Sequence, residues 1–371
     1  MARGNIPFFS AAREFECHRE EILDAIERTL EVGQVLQGRA VNELEDRIAK
    51  SCGRKYGVAV GSCTDALYFA LIAAGVRPGD EIFVTDFSFI ASASCIARLG
   101  AIPVFVDIEQ GTYNLNLEIA RNKLSSKTRA MVFVHLYGLM SDPVKLEAFC
   151  AEHDICLIED AAQAIGATYN NRPAGSVGFA SCFSFDPTKP VSAPGSGGMV
   201  LTDDEDAAST VRQLRYHGKR VDGYFHETGY NSQMPTLTAA VLNVKLNHAA
   251  DWTARRRQIA RKYREGLGDL RALRLPNEEG GSKHIYHKYV LEADDRNGLK
   301  KHLLDAGIPT MIHYPAPIHR QPCFSGLRCA DKDYPVALRS SARVLSIPMH
   351  PFLLEYEISD IVRAIRSFFG G

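Results

Sequence analysis

Short apolar runs alternate with helical stretches along the first half of the chain. The run at residues 57–60 leads through the small, polar segment 61–65 into the apolar helical stretch 66–74. Runs with the length and composition of strands lie at 57–60, 81–84, 103–106, 130–135, 155–158, 181–185 and 198–202. Strands that alternate with helices predict an α/β fold with a mainly parallel sheet sandwiched by helices.

A long helical pattern at residues 234–267 ends this alternation. After it the composition changes at residues 276–281, which we interpret as a loop inside a second unit. We therefore predict a large domain over residues 1–250 and a smaller carboxyl-terminal α+β domain over residues 251–371.

Composition and charge exclude several functional classes. The 371 residues include 43 Lys and Arg against 44 Asp and Glu, so the net charge of −1 gives no basic surface for nucleic acid. No run of about 18 apolar residues is present, and the amino-terminal residues lack a hydrophobic signal core, so we expect no membrane segment. Nine cysteines without a repeated spacing cannot all pair internally, which favours reduced thiols. We expect a soluble, cytoplasmic protein.

Two polar segments follow predicted strands, where parallel sheets bind their ligands. In Gly61-Ser62-Cys63-Thr64, small residues, a hydroxyl and free backbone N–H groups open a helix, which suits a phosphate group. The alternative is a helix cap supplied by Thr64 or Asp65. Asp160 comes just past a hydrophobic strand, and a carboxylate there either caps the next helix or contacts a ligand.

Two further segments lie in loops. Lys189 stands between Pro187 and Pro190, shortly before Gly195-Ser196-Gly197-Gly198. The prolines restrict the backbone on both sides, so this lysine is held more firmly than an ordinary solvated loop lysine. Gly229-Tyr230-Asn231-Ser232 precedes the long helix and is either part of a site or a turn with a helix cap.

Together these segments resemble the DegT/DnrJ/EryC1/StrS family of sugar aminotransferases. The resemblance runs nearly end to end and keeps the family's order of motifs, which are Gly61-Ser62-Cys63-Thr64-Asp65-Ala66-Leu67, Phe87-Ser88-Phe89-Ile90-Ala91, Glu159-Asp160-Ala161-Ala162-Gln163, Ser184-Phe185 with Lys189, Gly229-Tyr230-Asn231-Ser232 and His313-Tyr314-Pro315. It implies the aspartate-aminotransferase fold (fold type I) and the cofactor pyridoxal 5′-phosphate.

The resemblance gives matching residues a role at the cofactor ring. Lys189 matches the lysine that binds the cofactor covalently and then moves a proton between the donor's Cα and the cofactor's C4′ carbon. Asp160 would pair with the pyridine nitrogen and keep it protonated. Gln163 would lie near the phenolic oxygen, and Phe89 would stack on the ring face.

The cofactor phosphate is a second point of attachment. The resemblance assigns it to Thr64, the backbone around Cys63 and the Ser184 hydroxyl. Asn231 matches a residue that reaches the phosphate from the partner subunit, which implies a homodimer with shared active sites.

The chain departs from the family pattern at several positions. Cys63 stands where Gly is usual, Ser196 where an acid is usual, and Ile165 where His is frequent. Gln233 and Pro235 stand where Arg and Asp are common. None of these changes removes the cofactor chemistry, but they weaken the transfer of a substrate preference from other members.

Lys189 indicates transamination, because relatives that dehydrate their sugar carry histidine at this position. The implied reaction moves an amino group from an amino-acid donor, usually glutamate, to a keto-sugar that is usually nucleotide-linked. The motifs around Thr64 and His313 resemble members that make 3-amino-3,6-dideoxyhexoses, although enzymes of 4-keto-sugars and of secondary metabolism share much of the framework. His313, Tyr314 and Tyr224 would line the sugar site or else pack under a loop.

Other classes of protein fit less well. A nicotinamide dehydrogenase needs a Gly-x-Gly-x-x-Gly turn after its first strand, whereas the glycines at 195–198 precede a strand. A non-catalytic regulatory protein that binds the cofactor or an amino sugar would tolerate loss of Lys189 or Asp160, and both are present. Cys150-x-x-His153 and His284-x-x-His287 have the spacing of metal ligands but no matching second pair nearby, so we expect no metal.

Overall fold

The structure is a computed structural model that describes residues 6–278 and 280–370. Residues 1–5, Glu279 of the predicted loop and Gly371 at the end of the predicted small domain lie outside the described residues. Each strand predicted from the sequence is present, with bounds that differ by at most two residues.

The strands of the described ranges belong to three sheets. They are β1 (Tyr56–Val60), β2 (Glu81–Thr85), β3 (Ile102–Val106), β4 (Thr128–Val134), β5 (Cys156–Asp160), β6 (Thr168–Tyr169), β7 (Arg172–Pro173), β8 (Ala180–Ser184), β9 (Gly198–Thr202), β10 (Leu273–Arg274), β11 (Ser282–Lys283), β12 (Tyr289–Ala293) and β13 (Val344–Ile347). The central sheet has seven strands in the order β1-β9-β8-β5-β4-β2-β3. Four of its pairs, β2–β3, β2–β4, β4–β5 and β5–β8, are parallel. The predicted mainly parallel sheet is confirmed.

Helices cover the central sheet and build the carboxyl-terminal part. They are α1 (Ala11–Cys17), α2 (Arg19–Val32), α3 (Arg39–Ser51), α4 (Cys63–Ala73), α5 (Ala91–Arg98), α6 (Leu117–Arg121), α7 (Pro143–Glu152), α8 (Glu205–Leu214), α9 (Thr236–Leu267), α10 (Arg296–Asp305), α11 (Pro335–Arg343) and α12 (Glu355–Phe368). Within residues 6–278 and 280–370, none of the helices combines the length and the apolar character needed to cross a bilayer.

Both faces of the central sheet are buried. Ile82 and Val84 of β2 belong to one apolar cluster, whereas Phe83 between them belongs to another. Successive side chains on a strand point to opposite faces, so the two clusters pack on the two sides of the sheet. Strands buried on both faces have near-continuous apolar sequences, which is why the sequence alone revealed them.

The carboxyl-terminal part has its own sheet and apolar cluster. Its strands run in the order β10-β12-β13. Tyr263 near the end of α9, Tyr289 of β12 and Ile361 of α12 are fully buried in one cluster. Helix α9 runs without interruption across residue 250, so the division of the chain at that position stays a prediction.

The helix caps that were the alternatives to a ligand site at residues 61–65 and 229–232 are absent. Neither Thr64 nor Asp65 caps α4, because the Ser62 hydroxyl accepts the hydrogen bond from the Asp65 N–H at 3.1 Å. Ser232 does not cap α9, which begins after Pro235 without a side-chain cap. Instead the Ser232 hydroxyl accepts from the Gly61 N–H and donates to the Asp65 carboxylate at 2.7 Å. The segment at 229–232 is thus tied to the segment before α4.

Candidate active site

Several strands end at one edge of the central sheet. Parallel pairing links β2, β4, β5 and β8. β1 runs in the same direction as β8, because both pair antiparallel with β9. The segments that follow these strands therefore meet at this edge, and they contain Cys63 and Thr64, Phe89, Gln163 and Lys189. Ligands of parallel sheets bind at such an edge.

The amino terminus of α4 offers two free donors. In the part of the chain that the structure describes, no atom accepts a hydrogen bond from the backbone N–H groups of Cys63 and Thr64. A Cβ on Gly198 would lie 2.4 Å from the carbonyl of Ser62 and 2.5 Å from the Cys63 nitrogen, so only glycine lets β9 approach this closely. Free N–H groups at the positive end of a helix dipole suit a phosphate.

The thiol of Cys63 adds no negative charge to this phosphate cradle. Burial raises the pKa of the Cys63 thiol well above its ordinary value. The thiol therefore stays protonated at neutral pH. Cysteine in place of the family's usual glycine is compatible with an anion at the amino terminus of α4.

Asp160 ends β5 as a buried carboxylate with two hydrogen bonds. The Ser92 hydroxyl donates to Oδ2 at 2.7 Å, and the backbone N–H of Ala162 donates to Oδ1 at 3.1 Å. Burial raises the pKa of Asp160, while these two donors and the charge of Lys189 oppose the change. A nearby cation would stabilise the charged form of this buried carboxylate, and a protonated pyridine nitrogen is such a cation.

Lys189 lies in the loop after β8 with its ammonium group unpaired. Its backbone N–H donates to the Asp186 carbonyl at 2.9 Å, which holds the turn. Among the described residues, no atom accepts a hydrogen bond from its Nζ. Burial lowers the pKa of Lys189, and Asp160 and Asp186 partly oppose this change. A lowered pKa raises the share of neutral amine, the form that attacks a carbonyl or accepts a proton.

Gln163 links residues predicted for the cofactor to residues predicted for the sugar. Its Oε1 accepts from the Tyr137 N–H at 3.0 Å and lies 3.2 Å from Nδ1 of His287, whose Nε2 lies 3.1 Å from the Thr188 carbonyl. Its Nε2 donates to the Tyr314 hydroxyl at 3.4 Å. Gln163 and Tyr314, predicted for the cofactor and for the sugar respectively, are therefore in contact.

His313 lies beside this group as a neutral imidazole. The Tyr137 hydroxyl donates to the His313 carbonyl, and the His313 ring bonds the Ser346 hydroxyl at 2.9 Å. Burial, helped by the charges of Lys288 and Lys189, lowers the pKa of His313 to about 3. At neutral pH the ring can donate or accept a hydrogen bond without carrying charge.

The remaining predicted residues differ in how far the structure supports them. Ser184 is buried at the end of β8, and its hydroxyl accepts from the Asp186 N–H at 3.3 Å. Phe89 follows β2 and is 55% exposed, so its ring is available to stack on a ligand. Asn231 is exposed, and Tyr224 is 74% exposed in a hairpin. Among the described residues, no hydrogen bond joins the side chain of Asn231 or Tyr224 to another predicted site residue.

Four residues of the cleft were missed in the sequence analysis. Ser92 bonds Asp160, and Tyr137 bonds both Gln163 and His313. His287 had been weighed only as half of a metal-like pair, and Lys288 beside it is a buried lysine. No local pattern marks these residues, because their partners lie far away along the chain. The left-handed backbone of Tyr137, with φ 56°, cannot be read from the sequence either.

The metal-like pairs do not form a larger group of ligands. Within the described ranges, the one set of three neighbouring candidate ligands is His18, Glu21 and His248. It includes neither Cys150 and His153 nor His284 and His287. His284 accepts a hydrogen bond from the Tyr286 N–H at 3.0 Å through Nδ1, a structural role.

The residues at the sheet edge fit pyridoxal phosphate. The free N–H groups of Cys63 and Thr64 match its phosphate, the carboxylate of Asp160 matches its ring nitrogen, and the unpaired amine of Lys189 matches its aldehyde. Each of these groups lacks at least one partner that the cofactor would supply. The donor set therefore agrees with the cofactor that the resemblance implies.

Comparisons with known proteins agree with this geometry. The model of the DegT/DnrJ/EryC1/StrS aminotransferase family matches residues 16–366. The chain is 39% identical over 369 residues to the pleiotropic regulatory protein of Geobacillus stearothermophilus, covering 98% of this chain and 99% of that protein. It is 37% identical over 366 residues to the UDP-N-acetyl-3-dehydro-alpha-D-glucosamine 3-aminotransferase of Acidithiobacillus ferrooxidans, covering 99% and 98%. It is 34% identical over 364 residues to the dTDP-3-amino-3,4,6-trideoxy-alpha-D-glucose transaminase of Streptomyces venezuelae, covering 98% and 96%.

A solved structure shows the same fold. DesV of S. venezuelae, solved in complex with a ketimine intermediate, matches with a TM-score of 0.96 at 33% identity, and the match covers 99% of each chain. The fold and the site thus define a fold type I transferase that depends on pyridoxal phosphate. The chain belongs to the DegT/DnrJ/EryC1/StrS aminotransferase family, and the protein is a sugar aminotransferase of that family.

Proposed function

We propose that the protein transfers an amino group from L-glutamate to the 3-keto group of a nucleotide-linked sugar, with a 3-keto-6-deoxyhexose favoured. The observation that carries the proposal is the placement of Lys189, the buried Asp160 and the free N–H groups of α4 at one edge of the sheet. Two of the similar proteins named above act on 3-amino or 3-dehydro sugars linked to dTDP or UDP. The nucleotide carrier is UDP in one name and dTDP in the other, so both carriers are included in the test below.

Asp160 and Lys189 have different roles in the proposed reaction. When bound, pyridoxal phosphate accepts the electron pair that is released at the donor's Cα. Asp160 holds a proton at the ring nitrogen, which makes the ring a better electron acceptor. Lys189 takes the proton from Cα and delivers it to C4′, and its lowered pKa favours this exchange. The same two residues act in reverse when the keto-sugar takes the amino group.

Other side chains orient the cofactor. Thr64, the backbone around Cys63 and the Ser184 hydroxyl would hold the phosphate. Phe89 would cover one face of the cofactor ring. Its own phenyl ring is exposed, so it is free to stack on the cofactor. Gln163 would donate toward the phenolic oxygen, and its bonds to Tyr137 and His287 restrict its rotation.

His313 and Tyr314 would contact the sugar. Hydrogen bonds hold both at the cleft, because Gln163 donates to the Tyr314 hydroxyl and Tyr137 donates to the His313 carbonyl. Burial raises the pKa of the Tyr314 hydroxyl, so it remains a hydrogen-bond donor at neutral pH. Tyr224 would reach a sugar site only across a subunit boundary, because its own chain leaves it exposed. Enzymes that aminate 4-keto-sugars are the alternative within the family.

We further propose a homodimer that shares its active sites and works in the cytoplasm. Asn231 is exposed at the end of a hairpin that also exposes Val221, Tyr224 and Phe225. Exposed apolar side chains grouped in this way are typical of an interaction surface. The nine cysteines are free thiols, in keeping with a reducing compartment.

A regulatory protein that binds the cofactor or an amino sugar without catalysis is the second candidate. It is favoured by one relative, which is named a pleiotropic regulatory protein. Lys189 and Asp160 disfavour it, since a binding protein needs neither proton transfer nor a protonated ring nitrogen.

A panel of keto-sugar nucleotides tests the proposed function. UDP- and dTDP-linked 3-keto and 4-keto sugars are incubated with L-glutamate and holoenzyme, and the product is read by mass and by regiochemistry. A 3-amino sugar with formation of 2-oxoglutarate is the expected result. Amination at C4 would move the protein to the alternative substrate class. Binding without turnover of any sugar, with Lys189 intact, would favour the regulatory protein.

A further inference from the structure

Lys288 is a second buried lysine beside the proposed active site. It stands between His287, which contacts Gln163, and Tyr289, the first residue of β12. The residue is 5% exposed, and its Nζ is buried without a hydrogen-bond partner among the described residues. Lysine is almost never buried to this extent unless it is paired. The ammonium group of Lys288 therefore needs a counter-ion that the described residues do not supply.

The groups around Lys288 are mostly aromatic or cationic. Its Nζ lies 4.1 Å from the ring centroid of Phe9 and 5.8 Å from that of Phe8. Phe8 in turn stacks against His313, with centroids 6.3 Å apart. A cation–π contact offsets only part of the cost of burying an ammonium group. The aromatic rings thus shape the site without neutralising it.

His287, the chain neighbour of Lys288, lies at the loop that carries Lys189, because its Nε2 is 3.1 Å from the carbonyl of Thr188. Burial lowers the pKa of Lys288 well below its ordinary value, the charges of Lys189 and Arg256 add to this change, and the carboxylate of Asp186 opposes it. His287 and His313 are also close, and burial keeps both neutral. A carboxylate that binds beside Lys288 would supply the counter-ion that the described residues do not provide.

We propose that Lys288 forms a subsite for a carboxylate group of the substrate, an inference that rests on the proposed aminotransferase function. One compact ammonium with aromatic walls matches a single carboxylate. A diphosphate would need several donors, and the free donors for a phosphate are at α4 instead. Nearness to Lys189 puts the bound carboxylate close to the reacting carbon. Two sources are compatible with this position: the carboxylates of the amino-acid donor, and the carboxylate of a uronic acid sugar.

If Lys288 is kept for carboxylate binding, its unpaired charge should lower the stability of the folded protein when no carboxylate is bound. Methionine has a similar length and needs no counter-ion, and replacing an unpaired buried charge by an apolar group is often neutral or stabilising. The variant Lys288→Met should therefore melt at the same temperature as the wild type or higher. A purely structural lysine would give a lower melting temperature.

Calorimetric titration of the holoenzyme tests the subsite directly. The probes are glutarate, which has two carboxylates but no amine to react, UDP-glucuronate, and UDP-glucose, which has the same nucleoside diphosphate but no carboxylate. The variants are Lys288→Met, Lys288→Arg and, as a control at an exposed lysine, Lys301→Met. We expect Lys288→Met to weaken binding of at least one carboxylate probe tenfold or more, Lys288→Arg to restore part of it, and UDP-glucose to bind as in the wild type.

The pattern of losses identifies the source of the carboxylate. Weaker glutarate binding alone indicates the donor, and weaker UDP-glucuronate binding alone indicates the sugar. Unchanged dissociation constants for both probes, or no binding of either to the wild type, overturn the proposal. Equal weakening of UDP-glucose overturns it too, because the lysine would then serve the nucleotide or the fold.

A parallel measurement keeps the two proposals separate. The spectrum of the wild-type cofactor is followed while L-glutamate is added. Failure of this half-reaction with L-glutamate, while glutarate or UDP-glucuronate binding still depends on Lys288, would refute the proposed function and leave the subsite standing. A normal half-reaction, together with probe binding that does not depend on Lys288, would support the proposed function and refute the subsite.

Discussion

The hydroxyl of Ser92 donates a hydrogen bond to the carboxylate of Asp160 at 2.7 Å, across 68 residues of chain. Both side chains are buried. Ser92 belongs to α5, which follows the loop that carries Phe89, whereas Asp160 ends β5. The contact fixes the orientation of the carboxylate from a second element of the fold. Ser92 is therefore a positioning residue for the charge that we place at the cofactor ring nitrogen.

Removing either partner of this pair should slow the half-reaction with L-glutamate to different extents. Asp160→Asn keeps the shape but removes the charge that stabilises a protonated ring nitrogen, so we expect a loss of about 10²-fold or more. Ser92→Ala leaves the charge but frees the carboxylate, and a hydrogen bond to a charged group is worth about 1.5–3 kcal/mol, so we expect a smaller loss, from roughly tenfold up to about 10²-fold. Single-turnover spectroscopy of the cofactor measures both. Equal losses, or none for Asp160→Asn, would contradict the assignment.

Gly198 should be intolerant of any side chain. A Cβ there would lie 2.4–2.5 Å from backbone atoms of Ser62 and Cys63, and forced overpacking costs about 1–3 kcal/mol. Gly198→Ala should therefore lower the melting temperature and weaken pyridoxal phosphate binding to the apoenzyme. Gly326→Ala is the matched control, because a Cβ at that position meets nothing within 4 Å. Cofactor affinity that is normal in both variants would argue against a phosphate cradle at α4.

His284 should make the protein less stable in acid. Burial lowers the pKa of His284 to about 3, against about 6.5 in an unfolded chain. Below pH 6.5 the unfolded state therefore takes up a proton that the folded state refuses, and stability falls by about 1.4 kcal/mol per pH unit until the folded group titrates.

The variant His284→Asn isolates this contribution, because its side-chain oxygen can replace Nδ1 as the acceptor for the Tyr286 N–H. Urea unfolding at pH 7.5 and pH 5.0, with saturating pyridoxal phosphate, measures the loss of stability in each protein. The variant should lose about 2 kcal/mol less than the wild type between these pH values. His217→Asn, at an exposed position, should lose as much as the wild type. The same loss in all three proteins would exclude His284 as a source of acid sensitivity.

Subunits with defects in different residues should complement each other. In a heterodimer of Lys189→Ala and Asn231→Ala chains, one of the two shared sites has both native residues. Random mixing makes half of the dimers heterodimers, so activity should recover to about one quarter of the wild type. Mixing Lys189→Ala with Asp160→Asn is the control, because both residues would serve the same chain's site and no recovery is expected. No recovery in the first mixture, with heterodimers shown to form, would place Asn231 in its own chain's site or outside both.

The sequence predicted the parts of the site that depend on local pattern. Apolar runs located the strands of the central sheet, and residues such as Asp160 and Lys189 stand directly at or after strand ends. Contacts across the fold could not be predicted in this way. His287 meets Gln163 across 124 residues, and Lys288 is buried because Phe8 and Phe9 of the amino-terminal segment cover it. Such pairs follow from packing of separate elements, which no single segment encodes.

Reduction of the holoenzyme with borohydride is the most direct test of the central claim. The reagent fixes a covalently bound cofactor to its lysine, and peptide mass spectrometry then locates the pyridoxyl group. Our account predicts the adduct on Lys189, its absence in Lys189→Ala, and its persistence in Lys288→Met. An adduct on Lys288 or on any other lysine, or no adduct in a protein that has bound the cofactor, would contradict the account.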